Sequence, residues 1–490
     1  MSNCKRRICD QGVVCCVGLA LAWLSEAAPV NPAEFGFDPA AEPSVNAAAL
    51  QKALDGGNRE VAVTKPGTYG LDRTVFIDSH TKLTFAKGVV LQKRAKYANV
   101  LINRGAYNYG HDEDIEVRGV DISVNGFQMV PGLDSPARNV RGHLAFFNIR
   151  NVRVYDFRCV DLGNWQYCVH FCSFEDVLVD GFEIRGRKDG IHFNCGRGFV
   201  VRNGVLCTCD DGIAVNAGDW PDCAPEAGDV SDGLVEKIVM EPTPPEEAKK
   251  PGELGLAIAG AWVDWYPGIR LQRNDIVRAG KNVYGIFPMP FVTNEYASLT
   301  RPTHTHGKWT SPEGINFFCM QTNGTIRADV KNVVFRDIVC NHPRGLRMGW
   351  EVGSPWARVV RSELKPEDYP KIELTFERVK MTHPGTPVIC GAAPGTVTIR
   401  DCSVNNAPIV SFGTPRQVGG KWFPGAKRKV VCTSCRFSGD KRIDFKFGGP
   451  TEVELVLDGN EQSRELKAYG EYGAKIRVSG DSKIEVHHAP

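Results

Sequence analysis

Short runs of alternating apolar and polar residues recur down this chain at a nearly constant interval. Val152-x-Val154-x-x-Phe157 returns as Val177-x-Val179-x-x-Phe182, and later as Val333-x-Phe335-x-x-Ile338, Leu374-x-Phe376-x-x-Val379 and Val397-x-Ile399-x-x-Cys402. Period-2 alternation places the first two apolar residues of each run on one strand face, and the gap before the third marks a bend. Segments 144–166, 167–189 and 190–211 are 23, 23 and 22 residues long, and each carries a strand unit of this kind. Asn or Asp precedes Gly at Asn125-Gly126, Asp180-Gly181 and Asn203-Gly204, which suits corners that need a positive φ. One such coil cannot bury its own apolar face, whereas a stack of coils buries a continuous core. The pattern predicts an all-β fold, a single-stranded right-handed parallel β-helix.

Two stretches depart from that pattern. Asn46-Ala-Ala-Ala-Leu50-Gln-Lys-Ala-Leu54 has helical spacing, with Asn46 as its N-cap and an apolar face suited to cover the open first coil. Beyond the Pro-rich charged loop at 241–251, the coil pattern stops at Trp262 and resumes only at Ile326. The intervening residues resemble small β-modules of phage tail proteins and of some carbohydrate-active enzymes. Their aromatics, as in Trp265-Tyr266, suit an ordinary small core or stacking on sugar rings. His304 and His306 are expected to be loop residues. The expected organisation is a signal peptide at 1–28, the first part of the β-helix at 29–261, an inserted β-module at 262–322, and the rest of the β-helix with terminal strands at 323–490.

Composition narrows the setting. Lys5, Arg6 and Arg7 precede an apolar run from Gly12 to Leu24 and small residues ending at Ala27-Ala28, the layout of a secretory signal. Without it the chain keeps 56 basic and 55 acidic side chains, a formal charge of +1, so no polyanion-binding face is implied and nucleic acid is not an expected partner. No later run approaches a membrane span, and the expected product is secreted or periplasmic, a monomer with oligomerisation left open. Four of 17 cysteines leave with the signal, and an odd remainder of 13 argues against a disulfide scaffold. Cys172 and Cys195 could stack as a bridge or as small buried hydrophobes, and Cys432-x-x-Cys435 is expected in the core.

The candidate chemistry lies in two clusters, Lys188-Asp189-Gly190-Ile191-His192 and Cys209-Asp210-Asp211-Gly212. Asp189 and Asp211 are 22 residues apart, one coil, so they should stack about 4.8 Å apart and crowd three carboxyls together with Asp210. Like charges that close resist ionising together, which lets one act as an acid while its neighbours stay charged. A calcium ion held by hard oxygen ligands is the other way to tolerate such a cluster. Asp232-Gly233 looks like a third copy, but it directly precedes a strand position equivalent to Val177 and belongs to another column.

These clusters resemble the motifs of the polygalacturonases, glycoside hydrolase family 28, in the pectate-lyase-like superfamily. There an Asn-Thr-Asp precedes an Asp-Asp by about one coil. The resemblance implies a carbohydrate substrate, Asp210 as general acid, and Asp189 with Asp211 holding and deprotonating water in an inverting hydrolysis that needs no cofactor. The family's Gly-His-Gly is missing, and so is the Arg-Ile-Lys whose cations read a uronate, so galacturonate is not implied. Residues expected to bind substrate around the cluster are Lys188, His192, Asn194, His170, Asp219, Trp220 and Arg347. His192 follows Asp189 by three, so alternation puts it on the opposite face unless a bend intervenes. The alternatives are a calcium-dependent polysaccharide lyase with Lys188 or Arg187 as base, and a non-catalytic glycan-binding β-helix.

Overall fold

The computed structural model describes residues 28–129, 140–243, 253–287, 296–341, 346–352, 365–381, 389–391, 394–405, 410–412, 426–438 and 444–489. The predicted signal and most of the Pro-rich loop lie outside these residues. The chain is a parallel β-helix. Each strand pairs with its equivalent one coil later, and the 32-stranded sheet that results is parallel except where Gly260–Ala261 meets Arg327–Ala328.

The apolar repeat explains this stack. One inward column runs from Val61 through Leu83, Val117, Val154, Val179, Val201, Val235, Phe335, Phe376, Ile399 and Cys432 to Leu457, each in register with the next. All are buried in one continuous core, so the coils share a single apolar interior. Gly233 pairs with Phe199 and Phe199 with Val177, so Asp232 stands at an outer corner far along the coil from Asp189.

A second column, outside the core, holds left-handed backbone. Gly119, Asp156, Gly181, Asn203, Lys237, Asp337, Arg378, Asp401, Ser434 and Gly459 all have φ between 51 and 77°. Of the expected Asn-Gly and Asp-Gly corners, Gly181 takes this conformation at 180–181 but Asn203 takes it at 203–204. Gly204 serves packing instead: a Cβ there would lie 2.0 Å from the Phe182 ring of the preceding coil.

The capping helix spans Pro43–Leu54, starting earlier than the apolar spacing suggests. Its N-cap is Glu42, because Pro43 has the fixed φ of a first helical residue and no N–H to satisfy. Asn46 is therefore inside the helix, buried, where its Oδ1 accepts the Asp38 N–H at 2.9 Å. Ala47, Leu50, Ala53 and Leu54 face the first coil as part of the main core.

Strands between 263 and 321 form a five-stranded and a two-stranded sheet of their own. Their core includes Val277, Tyr284, Ile286 and Phe317, with Trp265, Tyr296 and Trp309 packed against it. Trp262 at the boundary instead lies in the solenoid core and donates from Nε1 to Thr325 O at 2.8 Å. His304 bonds within its own loop, to Gly307 O at 3.1 Å. Twelve cysteines are free thiols, Cys172, Cys195, Cys432 and Cys435 among them. Cys172 pairs in register with Asn194, which leaves Cys195 one position away from a bridging geometry. Among the described residues no helix is long and apolar enough to cross a membrane.

Candidate functional site

Three successive coils turn a corner at the same place. Leu162, Gly186 and Thr208 are in register before it. After it the backbone bonds from Cys168 N to Asp189 O and from Gly190 N to Asp211 O align Tyr167, Asp189 and Asp211. Asp211 in turn pairs with Glu253 of the next coil. Arg187-Lys188 and Cys209-Asp210 fill two of these corners. Of these corner residues Cys209 is buried, whereas Lys188 and Asp210 keep 21% and 17% side-chain exposure beside the buried Asp189.

The corner brings the three aspartates together. Asp189, Asp210 and Asp211 each place one carboxylate oxygen within 4.8 Å of the others. Lys188 holds two of them: its Nζ donates to Asp189 Oδ1 at 2.7 Å and, in a short contact, to Asp210 Oδ2. Burial opposes a charge on Lys188, but the three aspartates outweigh it and raise its pKa well above the ordinary lysine value. Asp189 is likewise buried, yet Lys188 and His192 hold its carboxyl far below the usual carboxylate range.

His192 touches the cluster, contrary to simple alternation. The strand Ile191–Thr208 begins only after Asp189, so residues 187–190 form the bend that lets the imidazole reach back. Nδ1 lies 3.0 Å from Asp189 Oδ2 and Nε2 3.0 Å from Asp219 Oδ2. A carboxylate on each nitrogen favours the cationic ring: burial opposes it, and Asp189 and Asp219 raise its pKa nonetheless. Tyr167 stacks on the ring at 3.9 Å between centroids and 6° between planes.

The other predicted residues form the layer beneath. His170 accepts the Arg141 N–H at Nδ1, 2.9 Å, so Nε2 carries the proton donated to Asn194 Oδ1 at 2.6 Å. Burial and the charged His192 push its pKa down to about 3, which fits this neutral tautomer. Asn194 donates to Asn216 O at 2.7 Å, and Asp219 accepts the Trp220 N–H at 2.8 Å. His170, Asn194 and Asp219 are buried, as Asp189 and Asp211 are, and through these bonds they hold His192 in place. Trp220 is half-buried, with its indole Nε1 turned out of solvent. Arg347 continues the strand column of His170, His192, Ala214 and Leu256, but its side chain lies outside the described residues.

Sequence reasoning missed Glu253 and Arg141. Glu253 is in register with Asp211 but 42 residues away, because the segment 217–229 and the Pro-rich loop both lengthen that coil and break the interval that exposed the other two. Arg141 gave no signal at all; its guanidinium donates to Gln166 Oε1 and Trp165 O, both at 2.9 Å, and to Cys223 Sγ at 2.8 Å. The inserted module supports the segment that carries Asp219: Arg273 pairs with Asp222 at 3.2 Å, and Gln321 Nε2 donates to Ala227 O at 3.0 Å.

The three aspartates are hard oxygen donors of the kind calcium takes. Calcium requires about six to eight such oxygens, whereas Asp189 already accepts from Lys188 and His192 and the lysine ammonium bridges to Asp210. The residues present fit an internal cation, Lys188, better than a metal ion.

No family model matches the chain, and no curated protein matches it. Solved structures do. PfbA, a surface adhesin of Streptococcus pneumoniae, is 13% identical over 94% of this chain and 91% of its own, with a TM-score of 0.45. A family 28 exopolygalacturonase of Yersinia enterocolitica is 13% identical over 93% and 80%, with a TM-score of 0.44. A hyperthermoactive exopolygalacturonase from Thermotoga maritima is 11% identical over 92% and 91%, with a TM-score of 0.39. At these identities the likeness concerns the fold alone, and it carries no residue correspondence into the site.

Proposed function

We propose that this chain is an exported glycoside hydrolase that cleaves a polysaccharide or oligosaccharide at the corner formed by residues 187–189 and 209–211. The observation that carries the reading is the meeting of Asp189, Asp210 and Asp211 within 4.8 Å, assembled from adjacent coils. Asp210, the more exposed acid, protonates the glycosidic oxygen, while Asp189 and Asp211 hold and deprotonate the water. Inverting enzymes generally separate their carboxyl groups by about 6.5–9.5 Å to fit water between them. The cluster here is tighter, nearer the about 5–5.5 Å of retaining enzymes, so the anomer of the first product is the direct test of inversion.

The calcium-dependent lyase is the second reading, favoured by the oxygen-rich cluster. Elimination with Lys188 as base needs a neutral amine, and the three aspartates around Lys188 stabilise its charged form. A panel of polysaccharides and aryl glycosides, with products weighed by mass spectrometry, separates the two readings: hydrolysis adds one water and elimination adds none. Asp210→Asn is expected to lower turnover by about 10²–10⁴-fold, and EDTA to leave it unchanged. Full activity in Asp210→Asn would overturn the assignment. Loss of activity in EDTA with an unsaturated product would select the lyase. A protein that binds glycans but cleaves none would be a binding β-helix.

A further inference from the structure

One corner in the row that carries Lys188 and Asp210 is longer than its neighbours. Residues 163–166 occupy it, where the next two coils use only 187–188 and 209–210 between the same register positions. The two extra residues lift Trp165 out of the surface, where it is 58% exposed although its neighbours Gly163 and Gln166 are buried. A large indole left in water next to a buried polar cluster gains from an apolar face laid against it.

The mount is pinned from three sides. Arg141 donates to Trp165 O at 2.9 Å and to Gln166 Oε1 at 2.9 Å. Gln128 Oε1 accepts the Asn164 N–H at 3.2 Å. Tyr167, which closes the corner, stacks on His192 and lies under the Lys188 ammonium at 5.6 Å from the ring centroid. The backbone that carries the indole is thus held one coil, about 4.8 Å along the axis, from the corner that holds the carboxylates.

The geometry points to Trp165 as the stacking platform for one pyranose ring of the bound glycan. The ring would sit one coil toward the N-terminus from the carboxylates, with the sugar chain running along the solenoid axis. This inference rests on the hydrolase reading for its ligand class. Pyranose rings present flat C–H faces that pack on indole, and an aromatic side chain with two torsions on a held backbone loses little freedom on binding. Arg187, exposed at the matching corner one coil on, adds a cation where a substituent of the next sugar would lie.

The experiment measures binding of polygalacturonate, xylan and laminarin to the full chain by affinity electrophoresis and calorimetry, in an Asp210→Asn background that prevents cleavage. At least one glycan is expected to bind. Trp165→Ala should weaken that binding about tenfold, and Trp165→Phe should stay within about threefold of the parent. Tyr472→Ala, another exposed aromatic far along the solenoid, is the control for nonspecific loss. Binding by Trp165→Ala within about twofold of the parent, or no binding of any glycan by the parent, overturns the platform. The wild-type background separates this inference from the hydrolase reading. Cleavage that survives with KM unchanged in Trp165→Ala keeps the hydrolase and rejects the platform. Trp165-dependent binding without cleavage keeps the platform and rejects the hydrolase.

Discussion

A single imidazole shows how strongly local charge depends on neighbours from other coils. His192 lies between Asp189 and Asp219 with only 1% of its surface exposed, and both partners stabilise its cationic form. Its folded pKa is raised, so this stabilisation is fully present below the unfolded value near ~6.5 and is lost as pH rises through the folded value. Asp189 and Asp219 are lowered, so their share is present above ~3.9 and is lost as pH falls through their folded values. His192→Gln is therefore expected to destabilise by about 3 kcal/mol at about pH 5.5 and by less at about pH 9, measured by urea unfolding at both. Equal losses at the two values would show that His192 is not held charged. Lys93 is the opposite case. It is buried, it donates only to the Met129 carbonyl among the described residues, and burial lowers its pKa to about 7. The unfolded chain then binds more protons than the folded one between about pH 7 and the ordinary value near ~10.4, so stability rises with pH across that window. Lys93→Met should stabilise by on the order of 1–3 kcal/mol at about pH 6, with the gain shrinking toward pH ~10 in thermal scans. A gain independent of pH would assign the effect to packing alone.

Elements in this chain are coils, and what limits each coil is the space left by the one before it. Phe182 and Phe199 project their rings over Gly204 and Gly233 of the following coils, where an added Cβ would come within 2.0 and 2.1 Å of ring carbons. Gly204→Ala is expected to cost about 1–3 kcal/mol through overpacking, and Phe182→Leu in the same molecule should recover part of it. Denaturant midpoints of the two single variants and the double variant measure the coupling; strict additivity would mean that the ring is not what excludes the methyl group. Neither constraint is visible in a Gly-rich turn motif. Asn203-Gly204 reads as a corner in sequence, yet the corner conformation belongs to Asn203 and the glycine answers to Phe182.

At the scale of the whole molecule, a solenoid is stable only if its ends are covered or made unattractive to other chains. The helix Pro43–Leu54 covers the first coil with Leu50 and Leu54, while the strands Lys475–Gly480 and Ile484–His488, each paired with the coil before it, carry the exposed charges Lys475, Arg477 and Glu485. Leu50→Asp is expected to uncover the first coil, lower stability by about 3–5 kcal/mol and shift the protein into larger species in light scattering. An unchanged melting temperature and particle size would show that the cap is dispensable. The repeat of apolar alternation by itself determined the β-helix, because every coil must bury the same face against its neighbours. The 22-residue interval by itself determined that Asp189 and Asp211 stack, since register in a parallel stack follows from coil length. Only the tertiary structure decided what those carboxylates meet. The bend at 187–190 turned His192 back onto Asp189, a 42-residue detour returned Glu253 to the same column, and Asp219 and Arg141 arrived from segments with no repeat to announce them. Charge and burial at a site are set by through-space neighbours at a few ångströms, and sequence spacing reports those neighbours only where the coil length is constant.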